Sequence, residues 1–301
     1  MEFFCEDLQQ HGLLLHPPAS PHYARMLADI EARLDRPVDG SPPIPEEFRP
    51  RISKQDRPTS AILLNQNEKA VAALHVVWRF ETVTGRSYRH SQGMLSAQTL
   101  LLQFDMTEEH RKIFGYWFTI LPGSKRYLGE SGMVGDNTDV RPPAPGEKWP
   151  NRGGCFGGGG GAGMSGGDAV ERVTLGLDGV FFIDGEFVGP NREKLFEQTV
   201  APAEACMLVA RLAREGHSQG LSPDRILAQI ETVTGPASEY PYPPPGVRHR
   251  DAPPEEYRQW ALQQLAGQLA GQRTLPQFTD ERIVNMIMGW SEAVLPHFRR
   301  G

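Results

Sequence analysis

In residues 70–81, Leu74, Val76, Trp78 and Phe80 alternate with His75, Val77, Arg79 and Glu81. A period of two predicts a strand with one face buried, and it places His75 on the solvent side. Thr84-Gly85-Arg86 predicts a turn, and residues 87–90 the returning strand. Residues 99–104 and 113–121 are two further β-like runs, the second closed by Pro122-Gly123. Strand signals resume over 173–177 and 180–183. Asp184-Gly185, between Ile183 and Glu186-Phe187-Val188, then predicts a hairpin with a type I′ turn, which needs positive φ at both central residues. Short strands divided by turn residues predict an immunoglobulin-like antiparallel β-sandwich.

Elsewhere the period is helical. Tyr23, Met26, Leu27, Ile30 and Leu34 form one stripe, with Ser20 as N-cap, Pro21 at the first helical position and Pro37 as the stop. After Gly189-Pro190 the pattern predicts a short helix over 193–199 and a second from Pro202 to a Gly216 cap. A third starts at Ser222-Pro223, turns Ile226, Leu227, Ile230 and Val233 inward, and stops at Gly235-Pro236. Two more cover 255–271 (Tyr257, Ala261, Leu265, Leu269 inward) and 280–298 (Ile283, Ile287, Trp290, Val294 inward). Trp260, Met286, Met288 and Trp290 repeat at the helical period, which favours core over a cofactor site. The chain thus reads as α+β: an N-terminal helix and proline-rich linker (1–57), a β-sandwich with a glycine-rich loop at 153–167 (58–190), and a helical C-terminal region (191–301).

Composition narrows the function classes. The formal charge of −6, from 31 Lys and Arg against 37 Asp and Glu, comes without any dense basic run. This argues against nucleic acid as the main partner, because phosphate neutralisation drives such binding. The three cysteines, Cys5, Cys155 and Cys206, are odd in number and lack CxxC spacing, which fits a reducing compartment better than a disulfide scaffold. The opening MEFFCEDLQQ has no basic n-region, and no apolar run approaches the roughly 20 residues a membrane span needs. The expected compartment is the cytoplasm, with periplasm or export open if a signal has been removed.

The tract GGCFGGGGGAGMSGG, residues 153–167, is the most unusual segment. It matches G-x-G-x-x-G at 161–166 and G-x-S-x-G at 163–167. The first motif needs a strand leading in and a helix leading out, the second a sharp strand-to-helix turn; here prolines precede and a strand signal follows. A serine hydrolase using Ser165 with His217 or His249 is therefore an alternative, not the leading reading. No G-K-[ST] is present in the tract, so a Walker-type phosphate loop is excluded. A loop of this length also fits a segment that closes on a partner, with Cys155 and Phe156 as contact residues. Tyr240-Pro241-Tyr242-Pro243-Pro244-Pro245 favours polyproline II, which displays Tyr240 and Tyr242 for docking or stiffens a connector. The histidines show neither H-x₃-H nor H-E-x-x-H spacing, so neither a metal site nor a cofactor is expected. The carboxylate pairs Glu108-Glu109, Glu255-Glu256 and Asp280-Glu281 fit helix starts or loops, where negative charge complements the helix dipole.

Residues 67–78, NEKAVAALHVVW, the turn at Gly85-Arg86 and residues 177–191, LDGVFFIDGEFVGPN, together resemble a bacterial family of uncharacterised proteins. That family carries a β-sandwich segment and a later D-G-x-F-V-G-P hairpin leading into helices. The resemblance covers about residues 60–235, departs at Glu68, and implies fold rather than catalytic residues. The leading expectation is a non-enzymatic protein-interaction or scaffolding module that binds a protein partner or itself. A structural subunit of a homomeric assembly is the other alternative.

Overall fold

The computed structural model describes residues 1–34, 52–94, 120–130, 132–135, 169–235, 252–289 and 298–301. The described residues up to Pro190, with 298–301, form one compact unit; those from Asn191 to Gly289 belong to a second. The class is α+β, with two largely antiparallel sheets in the first unit and helices in the second.

The β unit contains β1 (Glu2–Glu6), β2 (Leu13–His16), α1 (Tyr23–Leu34), β3 (Ala61–Asn65), β4 (Val71–Thr82) and β5 (Ser87–Met94). It continues with β6 (Lys125–Gly129), β7 (Gly132–Gly135), β8 (Val170–Phe182), β9 (Glu186–Val188) and β10 (Arg299–Arg300). One sheet runs β10-β9-β8-β4-β5 with β1 also on β8; the other runs β2-β3-β6-β7. β4 occupies one side of β8 over nearly its full length. The other side is shared in series: β1 pairs with residues 172–176 and β9 with Val180 and Phe181. β1 on β8 and β10 on β9 are parallel pairs made by segments far apart in the chain.

The alternation in β4 buries Leu74, Val76, Trp78 and Phe80 against Val173, Leu175 and Leu177 of β8 and Leu13, Leu63 and Leu128 of the second sheet. The Trp78 indole NH donates to the Thr59 carbonyl at 2.9 Å, so this large core residue leaves no polar atom unmet. Tyr23, Met26, Leu27 and Ile30 of α1 pack on Ile62 and Tyr127 of the second sheet.

Several local expectations change. β1 and β2 lie in the stretch read as helix and linker, because five and four residues are too few for periodicity to register. α1 begins at Tyr23 rather than Pro21; the Ser20 hydroxyl is engaged by the His22 amide and by His16, and its carbonyl accepts the Tyr23 amide. The two runs 173–177 and 180–183 merge into one strand, β8, which carries a bulge at Asp178 and ends at Phe182, leaving Ile183 to the turn. The hairpin forms where expected, but its turn differs. Gly185 donates to the Phe182 carbonyl and alone has positive φ (86°), so Ile183 and Asp184 make an ordinary turn closed by a left-handed glycine. Of the residues read as strands over 99–104 and 113–121, all but Ile120 and Leu121 lie outside the described residues; Ile120 bridges Val71.

The helical unit contains α2 (Leu195–Ser218), α3 (Pro223–Thr234), α4 (Pro254–Arg273) and α5 (Asp280–Met288). α2 is one helix, not two, and Pro202 sits inside it. Buried Ala201, Ala203 and Ala205 hold the backbone helical on both sides of the proline. Gly216 is not the cap. It lies inside α2 where a Cβ would come within 2.9 Å of Ile226 Cγ1, and Gly220 (φ 73°) follows the helix end instead. Val233 points outward, with Thr234 buried in its place. The inward stripe of α4 is as expected, and Ile283 and Ile287 of α5 are buried with it. Trp290 and Val294 lie outside the described residues.

Candidate functional site

The site with the most developed recognition geometry lies at the tip of the β8–β9 hairpin, where β10 is added to β9. Its chemistry begins with Lys69. Asn65, fully buried, donates from its amide to the carbonyls of Lys69 and Ile120, each at 2.9 Å, and accepts the Asn67 amide at 3.0 Å. Asn67 in turn accepts the Lys69 amide at 2.8 Å. These side-chain turns fix the approach to β4 and aim Lys69 across the sheet end. There its ammonium donates to Asp184 at 2.8 Å and to Glu186.

Asp184 is a turn residue whose carboxylate also accepts the Glu186 amide at 3.1 Å. Burial by itself raises the Asp184 carboxyl, but the hydrogen bonds from Lys69 and the Glu186 amide, with the charges of Lys69 and Arg299, outweigh it and hold it below its ordinary value. The same two carboxylates, Asp184 first, raise the Lys69 ammonium above its ordinary value.

Residues 298–301 complete the arrangement. The Arg299 amide donates to the Gly185 carbonyl at 3.2 Å and the Gly301 amide to the Phe187 carbonyl at 2.9 Å. The Arg299 guanidinium donates to Asp184 at 2.7 Å and lies 3.9 Å from Glu186. On the other face of the strand, the Phe298 ring meets Phe181 edge-on at 5.5 Å, and Phe181 meets Phe187 at 4.9 Å. A backbone ladder, an aromatic contact on one face and a charge contact on the other are the three elements by which a sheet edge holds an extended segment.

Other polar groups are buried in the β unit, among them two side-chain pairs. His75, read from the sequence as solvent-facing, is mostly covered and opposes Asp178 at 3.8 Å. Burial drives His75 down to about 4, and the Asp178 charge only partly opposes this. Under α1, the Tyr23 and Ser60 hydroxyls are 2.6 Å apart, and Ser60 donates to the Arg57 carbonyl. In the helical unit a groove of about 250 Å³ between α3 and α4 has Leu227, Ile230, Ala266 and Leu269 on its walls.

The residues singled out from sequence fall elsewhere. His217 is exposed on the last turn of α2. Ser165, His249, Cys155, Phe156, Tyr240 and Tyr242, with the whole glycine-rich tract, lie outside the described residues. Cys5 and Cys206 are free thiols, pushed up by burial to about 12 and about 11, which makes both poor nucleophiles. Lys69, Glu186 and Arg299 were missed because no motif joins them; they meet only through strand pairing. The one available signal was the aromatic-basic run Phe298-Arg299-Arg300. Among the described residues, no group of three or more His, Cys, Asp or Glu is placed to hold a metal, and no helix is long and apolar enough to cross a membrane. Comparison with protein-family models, curated proteins and solved structures finds no match.

Proposed function

We propose that this protein is a non-enzymatic interaction module whose mixed sheet binds extended polypeptide segments by strand addition. The observation that carries the reading is β10 on β9: a short, sequence-distant segment held on a sheet edge by backbone, aromatic and charge contacts together. β1 on β8 supports it, since it is a second parallel addition of the same kind. Two sheets that share one core around Trp78, with the β4–β5 and β8–β9 hairpins inside one of them, support an immunoglobulin-like frame for the module. The free thiols of Cys5 and Cys206 support a reducing compartment, the cytoplasm.

The test is to pan a displayed library of random dodecapeptides against the purified full chain and map each enriched peptide by amide hydrogen exchange. Enriched peptides that slow exchange along β9 or another strand of this sheet are the expected result. No enrichment, or protection confined to the helical unit, would overturn the reading.

A further inference from the structure

Resting on that reading, we infer that the β9 edge with Asp184 and Glu186 is a selective site for extended segments of the form aromatic–Arg–x–small, filled in this structure by residues 298–301 of the same chain. The partner is therefore a polypeptide that presents this pattern in extended form and displaces residues 298–301.

Each position of the pattern has a physical origin. The aromatic position follows from Phe298, which completes a three-ring cluster with fully buried Phe181 and with Phe187, 2% exposed. The arginine position follows from charge. Asp184 and Glu186 carry two negative charges; Lys69 supplies one positive charge and Arg299 the second. Without the arginine the network keeps a surplus negative charge, and one guanidinium nitrogen lies 2.7 Å from Asp184 and 3.9 Å from Glu186. Strand alternation then turns the third side chain to the opposite face from the carboxylates, so the Asp184–Glu186 charge network sets no residue type there. At the fourth position a Cβ on Gly301 would lie 2.7 Å from Glu186 Oε1 and 3.3 Å from Val188, so a branched residue must shift that carboxylate oxygen, at modest cost because it ends a flexible side chain.

The four residues are a modest ligand, and this matters for function. β10 contributes two strand residues, and the Arg299 side chain is 55% exposed, so the ion pair is partly screened. A segment held this weakly competes with, but does not exclude, a longer partner with the same pattern. Held in cis, it benefits from effective concentration rather than from intrinsic affinity.

The experiment uses the full chain and a fluorescein-labelled peptide of sequence Pro-His-Phe-Arg-Arg-Gly, read by anisotropy. Two variants open the site: Phe298→Ala with Arg299→Ala, and Arg299→Glu alone, which sets like charge against Asp184 at an exposed position. Each is expected to bind the peptide at least tenfold more tightly than the wild type. In the opened variants, Asp184→Asn keeps the turn's acceptor but removes the charge, and is expected to weaken binding about fivefold or more. A peptide with Glu in place of its first Arg is expected to bind at least tenfold more weakly, and one ending in Val a few-fold more weakly. Equal binding by wild type and both opened variants, with unchanged thermal melts, would overturn the inference, as would equal binding of the Arg and Glu peptides. If opened variants retain library peptides but ignore this one, strand addition stands and the selectivity falls. If they retain neither, both fall.

Discussion

His75 Nδ1 lies 3.8 Å from Asp178 Oδ2, across the point where β8 carries one residue more than β4. The separation exceeds hydrogen-bond length, and the buried Nδ1 has no hydrogen-bond partner among the described residues. The ring is thus held neutral inside the sheet, with Asp178 of β8 favouring the proton and Arg89 of β5 opposing it.

A depressed histidine makes stability depend on pH. The unfolded ring takes up a proton near 6.5, whereas the folded ring resists until about 4. Its contribution is therefore complete above pH 6.5 and is lost as pH falls from 6.5 towards 4. The linkage relation gives a loss of about 2 kcal/mol between pH 7 and pH 5. Urea unfolding at the two pH values measures it, and His75→Gln should remove that part of the difference. An unchanged difference in the variant would assign the pH dependence to other groups.

Asn65→Asp replaces two amide donations, to Lys69 and Ile120, with an acceptor facing two carbonyls at a fully buried position. The shape is retained, so the cost is electrostatic and should be about 2–4 kcal/mol. Because Lys69 is positioned by this turn, the same substitution should speed amide exchange at Lys69 and Gly301.

Gly216→Ala tests the contact between α2 and α3. Alanine improves helix propensity by about 1 kcal/mol, yet its Cβ would meet Ile226 Cγ1 at 2.9 Å. The net effect expected is a loss of about 1–2 kcal/mol, as for overpacking in general. In an Ile226→Ala background the same change should be neutral or stabilising. A cost that persists there would place its origin elsewhere.

Pro202 lies eight residues into α2 and withholds the amide that would bond the Gln198 carbonyl. Pro202→Ala should raise the denaturation midpoint, by about 1–3 kcal/mol in stability. A lower midpoint would show that the proline ring contributes packing that outweighs the missing bond.

The sequence by itself determined the features that depend on near neighbours in the chain. Period-two alternation located β4 and its buried Trp78, and period-3.6 stripes located α1, α3 and α4. Asp184-Gly185 marked the hairpin because a left-handed residue is needed there whatever surrounds it. Even locally, the proline at 202 was read as a helix start, since pattern alone cannot weigh its missing bond against the buried alanines beside it.

Only the tertiary structure decided which distant segments meet. The short strands β1, β2 and β10 have too few residues for a period and are strands because a sheet edge awaits them. His75 alternates onto a face that the sequence marks as exposed, yet it is mostly covered there and opposes Asp178 of the neighbouring strand. Lys69, Asp184, Glu186 and Arg299 sit up to 230 residues apart and become one charge network only when β10 joins β9. Charge pairing acts over a few ångströms of space, and one-dimensional order carries no record of which residues will share them.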